Sequence, residues 1–582
     1  MTSARAHLRM TTAVVLGAAL GAACAKTDDS SAVDSVAPGR IEIDVSPEAA
    51  AALATISADG LAADIRILAS DEFEGRGPAT SGEEKTIAYL REEFAAIGLQ
   101  PGNGDSWFQN VPMIAITAEE VSPLIVSGET GVVSGETGVG DYTYERDFMA
   151  WTKRVSESEE VTESELVFVG YGVVAPEYGW NDYEGVDVEG KTVVMLVNDP
   201  GYATEDPNLF SGRTMTYYGR WTYKFEEAAR QGAAAAFVVH ETAPAGYPWE
   251  VVSGSWSGPQ FDLVRPDDNM SRIRIEGWLT VETARNVFAR AGLNYDSLKA
   301  SASSGEFEAL PMGLQASLSI RNSFVRSDSR NVLATLPGSD RADEYVIYSA
   351  HWDHLGRDPS LEGDQIFNGA HDNATGTAGL LELARAFASQ ERPPSRSILF
   401  LAVTAEEQGL LGSEHYAANP VFGLEKTVAL INMDGLNNYG PTEDIIVVGM
   451  GMSELDDYLD AAAATQGRSL TPDAESEKGY YYRSDQFSFA KRGVPGLYTD
   501  EGTVSREHGP EWMMERKAAY TAERYHKPAD EYSEDWDLRG AVEDLQLFFL
   551  VGDRLANGTE FPNWREGSEF RAIRDSTLAG GS

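Results

Sequence analysis

The sequence predicts an α/β protein with a largely parallel sheet, interrupted by a smaller β-rich segment. Three observations carry that reading. From Asn331 onward, short apolar runs alternate with helical patterns, as strands and crossover helices do in a parallel sheet. Between about Glu165 and Ile320 the texture shifts to strand-like runs separated by Gly- and aromatic-rich turns. The chain is 42% hydrophobic and 10% aromatic over 582 residues, enough for packed cores and well away from disordered compositions.

In chain order, Arg5 and Arg9 precede an apolar stretch, Ala13 to Ala23, that ends in LGAAC. The stretch is too short to span a bilayer and reads as the core of a signal peptide over 1–23. Small residues directly before Cys24 resemble a bacterial lipoprotein signal, in which the cysteine is lipidated and becomes the mature N-terminus. The expectation is an exported, lipid-anchored envelope protein, or otherwise a secreted one. Cys24 is the one cysteine in the sequence, so no intramolecular disulfide can form.

Residues 24–50 are polar and rich in small side chains, and read as a flexible tether. Helical patterns follow at Leu61 to Ser70 and from Ser81, where Ser81-Gly-Glu-Glu84 reads as a capping box ahead of Ile87, Leu90, Phe94 and Ile97 on one face. VSGETGV then occurs twice in tandem, from Val126 and from Val133, too short a unit for a repeat fold. In the β-rich segment the runs Leu166 to Val169 and Thr192 to Val197 read as strands, and a helix at Tyr223 to Gln231 leads through Gly232 into the apolar run Ala233 to Val239. His240-Glu241 lacks the second His of a zinc-peptidase helix. Beyond Asn331, strands are expected at Tyr345 to Ala350, Ser397 to Ala405, Thr427 to Met433, Ile445 to Val448 and Val494 to Tyr498. Helices are expected at Ala374 to Gln390, after Gly409, at Ser453 to Thr465 and at Leu538 to Ala556.

The charge balance excludes some functions. With 46 basic and 92 acidic residues the net charge is −46. Nucleic-acid affinity rests on clustered Lys and Arg, and anionic membranes would repel such a chain. A serine hydrolase of the nucleophile-elbow kind is also excluded, since no G-x-S-x-G occurs.

Chemistry concentrates in the parallel segment. Of eight histidines, six lie between 351 and 526. Three successive strand patterns end in potential ligands: AHWDH with His351 and Asp353, TAEE with Glu406 and Glu407, and NMDG with Asp434. Ligands of open α/β sheets gather beyond the carboxyl ends of the strands, so these residues should converge. NGAHDNATG places Asp372 just before a helix, and RYHKPADE adds Tyr525 and His526. Taken singly, each has a plainer reading: a hydrogen-bonded pair at a strand end, a helix cap, a solvated turn or a polar loop. Together, two His and three carboxylates with one carboxylate to spare are what a two-metal hydrolytic site needs.

The motifs AHWDHLG, NGAHDNATG, TAEEQGLLGS, NMDG, RSDQFSF with GVP, and YHKPADE resemble those of the di-zinc aminopeptidase family, related to the transferrin-receptor ectodomain. The likeness is to exported bacterial members with an inserted protease-associated domain. It implies a three-layer peptidase domain, with a mostly parallel central sheet and flanking helices, over 51–160 and 322–560. The protease-associated insert would then cover 161–321, leaving 561–582 as a C-terminal tail. It implies two zinc ions, with cobalt or manganese as substitutes: Asp372 bridging, His351 and Asp434 completing one site, Glu407 and His526 the other. Asp353 would hydrogen-bond the second nitrogen of His351, and Glu406 would be the general base. Tyr525 would donate to the oxyanion, and Arg483 and Asp485 would contact or support substrate. The family also places a cis peptide after the bridging aspartate.

The implied activity is hydrolysis of N-terminal peptide bonds in peptides with a free amino group, by a water held between two metals. A homodimer is compatible with the resemblance. Gln486 stands where many relatives have His, and His371 where others have an acidic residue; neither is a ligand position. Rival readings are a carboxypeptidase or a glutaminyl cyclase on the same fold, and a non-catalytic receptor-like ectodomain.

Overall fold

A computed structural model describes residues 41–128 and 140–580. The signal, Cys24 and most of the VSGETGV tandem lie outside the described residues. Among the described residues no helix is long and apolar enough to cross a membrane.

The central sheet forms where the sequence places it. Strands Arg396–Val403, Arg341–His351, Thr427–Asn432 and Gly496–Asp500 lie side by side and parallel. Asp444–Val447 adds antiparallel to the last of them, and Leu310–Leu336 antiparallel to the first. Successive residues alternate between two cores. Val346, Tyr348, Ala350, Ile398, Phe400 and Ala402 face the larger one, under helices Ala58–Leu68, Thr375–Ala388 and Arg539–Asn557. Ile347, Leu399, Leu401, Val403 and Leu430 face the other, with Tyr416 and Phe489 from short helices. Both faces are covered, which is why these strands read as unbroken apolar runs.

The inserted segment differs from its expected β-rich character. Ser158–Phe168, Thr192–Leu196, Ala235–His240 and Ile275–Thr280 form a parallel row, accompanied by helices such as Trp221–Arg230 and Val281–Arg290. The insert is therefore itself α/β. Trp221–Arg230 stands where a helix was expected at Tyr223 to Gln231, and Val281–Arg290 was not anticipated.

Its boundaries also move. Leu124–Gly128 pairs with residues 314–317, and Phe148–Trp151 with Ile275–Thr280, so both strands pair with residues expected in the insert. The other expected boundary, at 321/322, falls inside the continuous strand Leu310–Leu336. There the pairing with Phe108–Val121 shifts register between Arg321 and Asn322. Two long strands thus run across the expected boundaries without a linker.

Three further expectations are corrected. The tether ends before residue 50, since the helix Pro47–Leu53 buries Ala49 and Ala52. The helix Ser81–Ile97 is capped by Thr80, whose Oγ1 accepts from Gly82 N at 3.1 Å, while Glu83 accepts from Ala79 N at 2.6 Å. The cap therefore sits one residue earlier than Ser81, and both neighbours are hydroxyl residues. The expected tail is built in as far as Gly580. Trp564 and Arg574 are buried, Trp564 donating to Gly493 O and Arg574 to the carbonyls of Thr427 and Val428, and residues Arg571–Gly580 form a helix.

Candidate metal centre

The strand ends deliver the side chains. His351 is the last residue of its strand; Glu406 and Glu407 follow Val403 after a turn through Ala405, and Asp434 follows Asn432. Ala405 and His526 hold φ of 53° and 54°, left-handed values uncommon for residues with a Cβ and frequent around functional sites. Asp372 precedes the helix Thr375–Ala388, and the Asp372–Asn373 peptide is cis, as the resemblance implied. His526 follows a helix, Pro510–Glu523, that the sequence reading did not anticipate.

These residues form two groups that share one carboxylate. His351 Nε2 lies 3.4 Å from Asp372 Oδ1 and 3.1 Å from Asp434 Oδ1. His526 Nε2 lies 3.3 Å from Asp372 Oδ2 and 3.1 Å from Glu407 Oε2. A further imidazole, His354, sits behind Glu407, its Nδ1 2.5 Å from Oε1. His351, Asp372 and Asp434, and likewise His354, Asp372 and Glu407, are spaced as sets that could hold a metal ion.

The electrostatics point the same way. Burial alone would lower the pKa of His351, but Asp434 and Glu406 outweigh it and hold the imidazole well above its ordinary value. His526 is pushed up to about 10 by its bonds to Asp372 and Glu407, against burial. Burial, then the neighbouring carboxylates, raises Glu406 well above the usual carboxylate range, with His351 opposing. A buried pocket with this many carboxylates fits divalent cations, and its mixed imidazole and carboxylate donors suit zinc.

A second layer holds the donors in place. Asp530, fully buried, accepts from the backbone N–H groups of His371 at 3.2 Å and Asp372 at 3.1 Å. Asn373 donates to Met433 O and accepts from Gly376 and Gly435 N–H, tying the Asp372 turn to the Asp434 turn. Arg76, also buried, donates to the carbonyls of Leu68, Trp352, Asn368 and Gly369.

Asp353 departs from its expected contact. The His351 Nδ1 lies 3.2 Å from the Asp353 carbonyl, while the carboxylate stands 3.9 Å away. That carboxylate accepts from Glu406 N–H at 3.2 Å and Glu407 N–H at 3.4 Å. It therefore fixes the turn carrying both glutamates, because the backbone carbonyl already occupies the Nδ1 direction.

Tyr525 is half exposed and stacks on His526, with ring centroids 3.9 Å apart. Burial and the surrounding carboxylates push its phenol up, so it remains a proton donor at neutral pH. Arg483 donates to Lys478 O at 2.7 Å and lies over Tyr480; it makes no bond to the ligand set. Asp485 is buried, and burial pushes its carboxyl up to about 7 against the pull of His351. Gln486 is buried as well, accepting from Asn432 and donating to Tyr481 O. That departure from the family pattern falls in the support of the Asp434 strand. His371 pairs with Glu501 at 3.3 Å.

The sequence reading assigned no role to three of these residues. Asp530 and His354 lay inside quoted motifs without one, and only their positions relative to known ligands could have flagged them. Arg76 sat in EGRGPATSG, read as a turn-rich loop, and a charged side chain in such a loop carries no sign that it will be buried.

A parallel sheet covered on both faces, with imidazoles and carboxylates converging at its carboxyl edge, defines an α/β protein with a candidate metal site. Residues 331–550, which contain every candidate ligand, match the model of peptidase family M28. It is 29% identical over 213 residues to a probable zinc metalloprotease of Pyrenophora tritici-repentis, covering 35% of this chain and 47% of that protein. It is 36% identical over 110 residues to aminopeptidase YwaD of Bacillus subtilis, covering 19% and 22%. The chain thus spans about half or less of the curated relatives it matches. An aminopeptidase structure from Aneurinibacillus sp. strain AM-1 superposes over 88% of this chain and 97% of its own, at 19% identity and a TM-score of 0.46.

Proposed function

We propose that the chain is an exported, two-metal aminopeptidase acting on peptides with a free N-terminus. One observation carries the reading most: Asp372 is shared between two His/carboxylate groups, while Glu406 belongs to neither. The relatives named as zinc metalloprotease and aminopeptidase support it.

His351, Asp372 and Asp434 would hold one divalent cation, and Asp372, Glu407 and His526 the other. When bound, zinc at such a centre polarises a carbonyl and makes water nucleophilic at neutral pH. Glu406, held in the pocket wall by the turn that Asp353 fixes, takes the proton from the attacking water and returns it to the leaving amine. Tyr525, neutral and beside His526, donates to the oxygen on which negative charge develops. The acidic surroundings receive the substrate's ammonium group, so acylated N-termini should be rejected. Export would follow the N-terminal signal, with Cys24 as lipid anchor.

The test is a panel of aminoacyl-p-nitroanilides, each run beside its N-acetylated form and again after chelation, on protein beginning after Cys24. Cleavage of free-amine substrates alone, lost on chelation and regained with zinc, is the expected result. Equal cleavage of acetylated substrates, or indifference to chelation, would overturn the reading.

A further inference from the structure

One candidate ligand is delivered differently from the rest. His351, Glu407 and Asp434 stand at or just beyond strand ends, and Asp372 precedes the buried helix Thr375–Ala388. His526 depends instead on the helix Pro510–Glu523, along which Met513 alone is buried. The dependence is direct. Tyr520 O accepts from Arg524 N–H at 2.8 Å and from Tyr525 N–H at 2.9 Å, so the turn presenting His526 continues the last turn of the helix. Where the helix sits, His526 goes with it. A helix of 14 residues is marginal by itself in water, and one buried side chain is little apolar packing to hold it. Its position needs another cause.

Lys517 supplies it. Met513, Lys517 and Tyr520 stand at i, i+4 and i+7 and so share one face of the helix. The Lys517 ammonium lies 2.6 Å from Asp500 Oδ2 and 3.2 Å from Glu501 Oε2, carboxylates at the end of the strand Gly496–Asp500. Among the described residues no other side chain of this helix forms an ion pair. Glu501 is buried, and its second oxygen, Oε1, lies 3.3 Å from His371 Nε2. His371 is the neighbour of Asp372, and its Nε2 stands 3.2 Å from where a Cβ on Gly435, the residue after Asp434, would be. Tyr520 completes the face: its ring centroid is 4.5 Å from that of His371, and its hydroxyl donates to Asp530 at 3.4 Å. A row of contacts thus runs from Lys517 through Glu501 and His371 to the turns that carry Asp372 and Asp434. With Lys517 30% exposed and Glu501 6%, this is not the solvent-screened surface pair that contributes little. Removing the ammonium would leave a buried carboxylate without its lysine.

We propose that Lys517 is a latch: through Asp500 and Glu501 it fixes the helix Pro510–Glu523 on the edge of the sheet, and so positions His526 for the second cation. The inference rests on the two-metal reading and deepens it, because it makes the two cation sites unequal. His351 and Asp434 follow strands that are themselves paired, Ser349 opposite Asn432, and need no latch. The site completed by His526 is assembled only while the helix is held. Lys517 is therefore a positioning residue, which acts on the cation through the helix.

The experiment titrates zinc into the metal-free full chain against a chromogenic chelator, for the parent, K517M, K517R and H526A. The parent should bind two zinc ions. K517M should bind the weaker one roughly 10- to 100-fold less tightly, as when the support of a ligand is lost. It should keep the tighter one unchanged and so approach H526A, in which the ligand itself is gone. K517R should recover most of the loss. Unchanged affinity at the weaker site of K517M would overturn the proposal, as would an equal loss at both sites. A second measurement needs no metal. In hydrogen exchange on the metal-free chain, K517M should speed exchange across residues 510–526 and leave Arg396–Val403 unaltered. Unaltered exchange at 510–526 overturns the latch even if the parent binds fewer than two zinc ions, an outcome that by itself defeats the two-metal reading. D500N leaves Glu501 paired with Lys517 and should move both readouts the same way by less. If K517M does not fold, D500N decides, and no shift in either readout overturns the proposal.

Discussion

At the scale of single residues, the centre separates side chains that would hold cations from side chains that hold those ligands or move protons. Glu406 is the clearest of the second kind, since it makes none of the short contacts linking His351, Asp372, Asp434, Glu407 and His526. E406Q should therefore lower kcat by at least about 10²-fold, the usual contribution of a positioned acid–base group. Zinc content by elemental analysis should stay unchanged. Near-normal turnover would remove Glu406 as the base. Asp530 acts chiefly through backbone, holding the N–H groups of His371 and Asp372, and also accepts from the Tyr520 hydroxyl at 3.4 Å. D530N should weaken zinc affinity by roughly 10- to 100-fold, as loss of such supports does. Competition with a chromogenic chelator would measure that, and unaltered affinity would show the Asp372 turn to be held by Asn373 alone. The ligand residues were legible because strand-end acids and imidazoles in chain order are rare together. Arg76 and Asp530 were not, because their role is to satisfy backbone groups that no side-chain pattern encodes.

At the scale of elements, the sequence reveals what is periodic and hides what is held by single capping or buried groups. The strands Arg341–His351, Arg396–Val403 and Thr427–Asn432 were visible because each carries a mostly apolar run buried on both faces. The helix Pro510–Glu523 was not, since Met513 alone is buried along it and an exposed helix carries little apolar periodicity. The helix Leu455–Thr465 shows a buried group at work. Asp456, near its start, accepts from Gly451 N–H at 2.6 Å, yet burial pushes its carboxyl up to about 6. An acid whose pKa is raised by folding supports the fold fully below its unfolded value, near 4, and loses that support as pH rises to about 6. D456N keeps an acceptor for Gly451 and carries no charge. The variant should match wild type near pH 4 and exceed it above pH 6 by up to about 3 kcal/mol. Urea midpoints at the two pH values would show it. An equal offset at both would mean that Asp456 does not titrate with folding.

At the scale of the whole molecule, the net charge of −46 sets a field over every approach to the centre. A substrate with a free amino group would be drawn in by such a field, and a carboxylate repelled. The Debye length falls from about 30 Å at 0.01 M salt to about 8 Å at 0.15 M, so the long-range part of the attraction is removed across that range while short-range contacts persist. For a cationic substrate such as leucine amide, kcat/KM should therefore fall several-fold with added salt, mainly through KM, because steering raises encounter and local concentration without altering the chemical step. A dipeptide acid is a zwitterion with little net charge, so its kcat/KM should depend on salt much less. Sodium chloride titrations at constant pH and zinc would separate the two slopes. Identical slopes would mean that the field plays no part in selection, leaving discrimination to the contacts within the site. A steeper fall for the cation would tie the acidic surface to the amino end of the substrate.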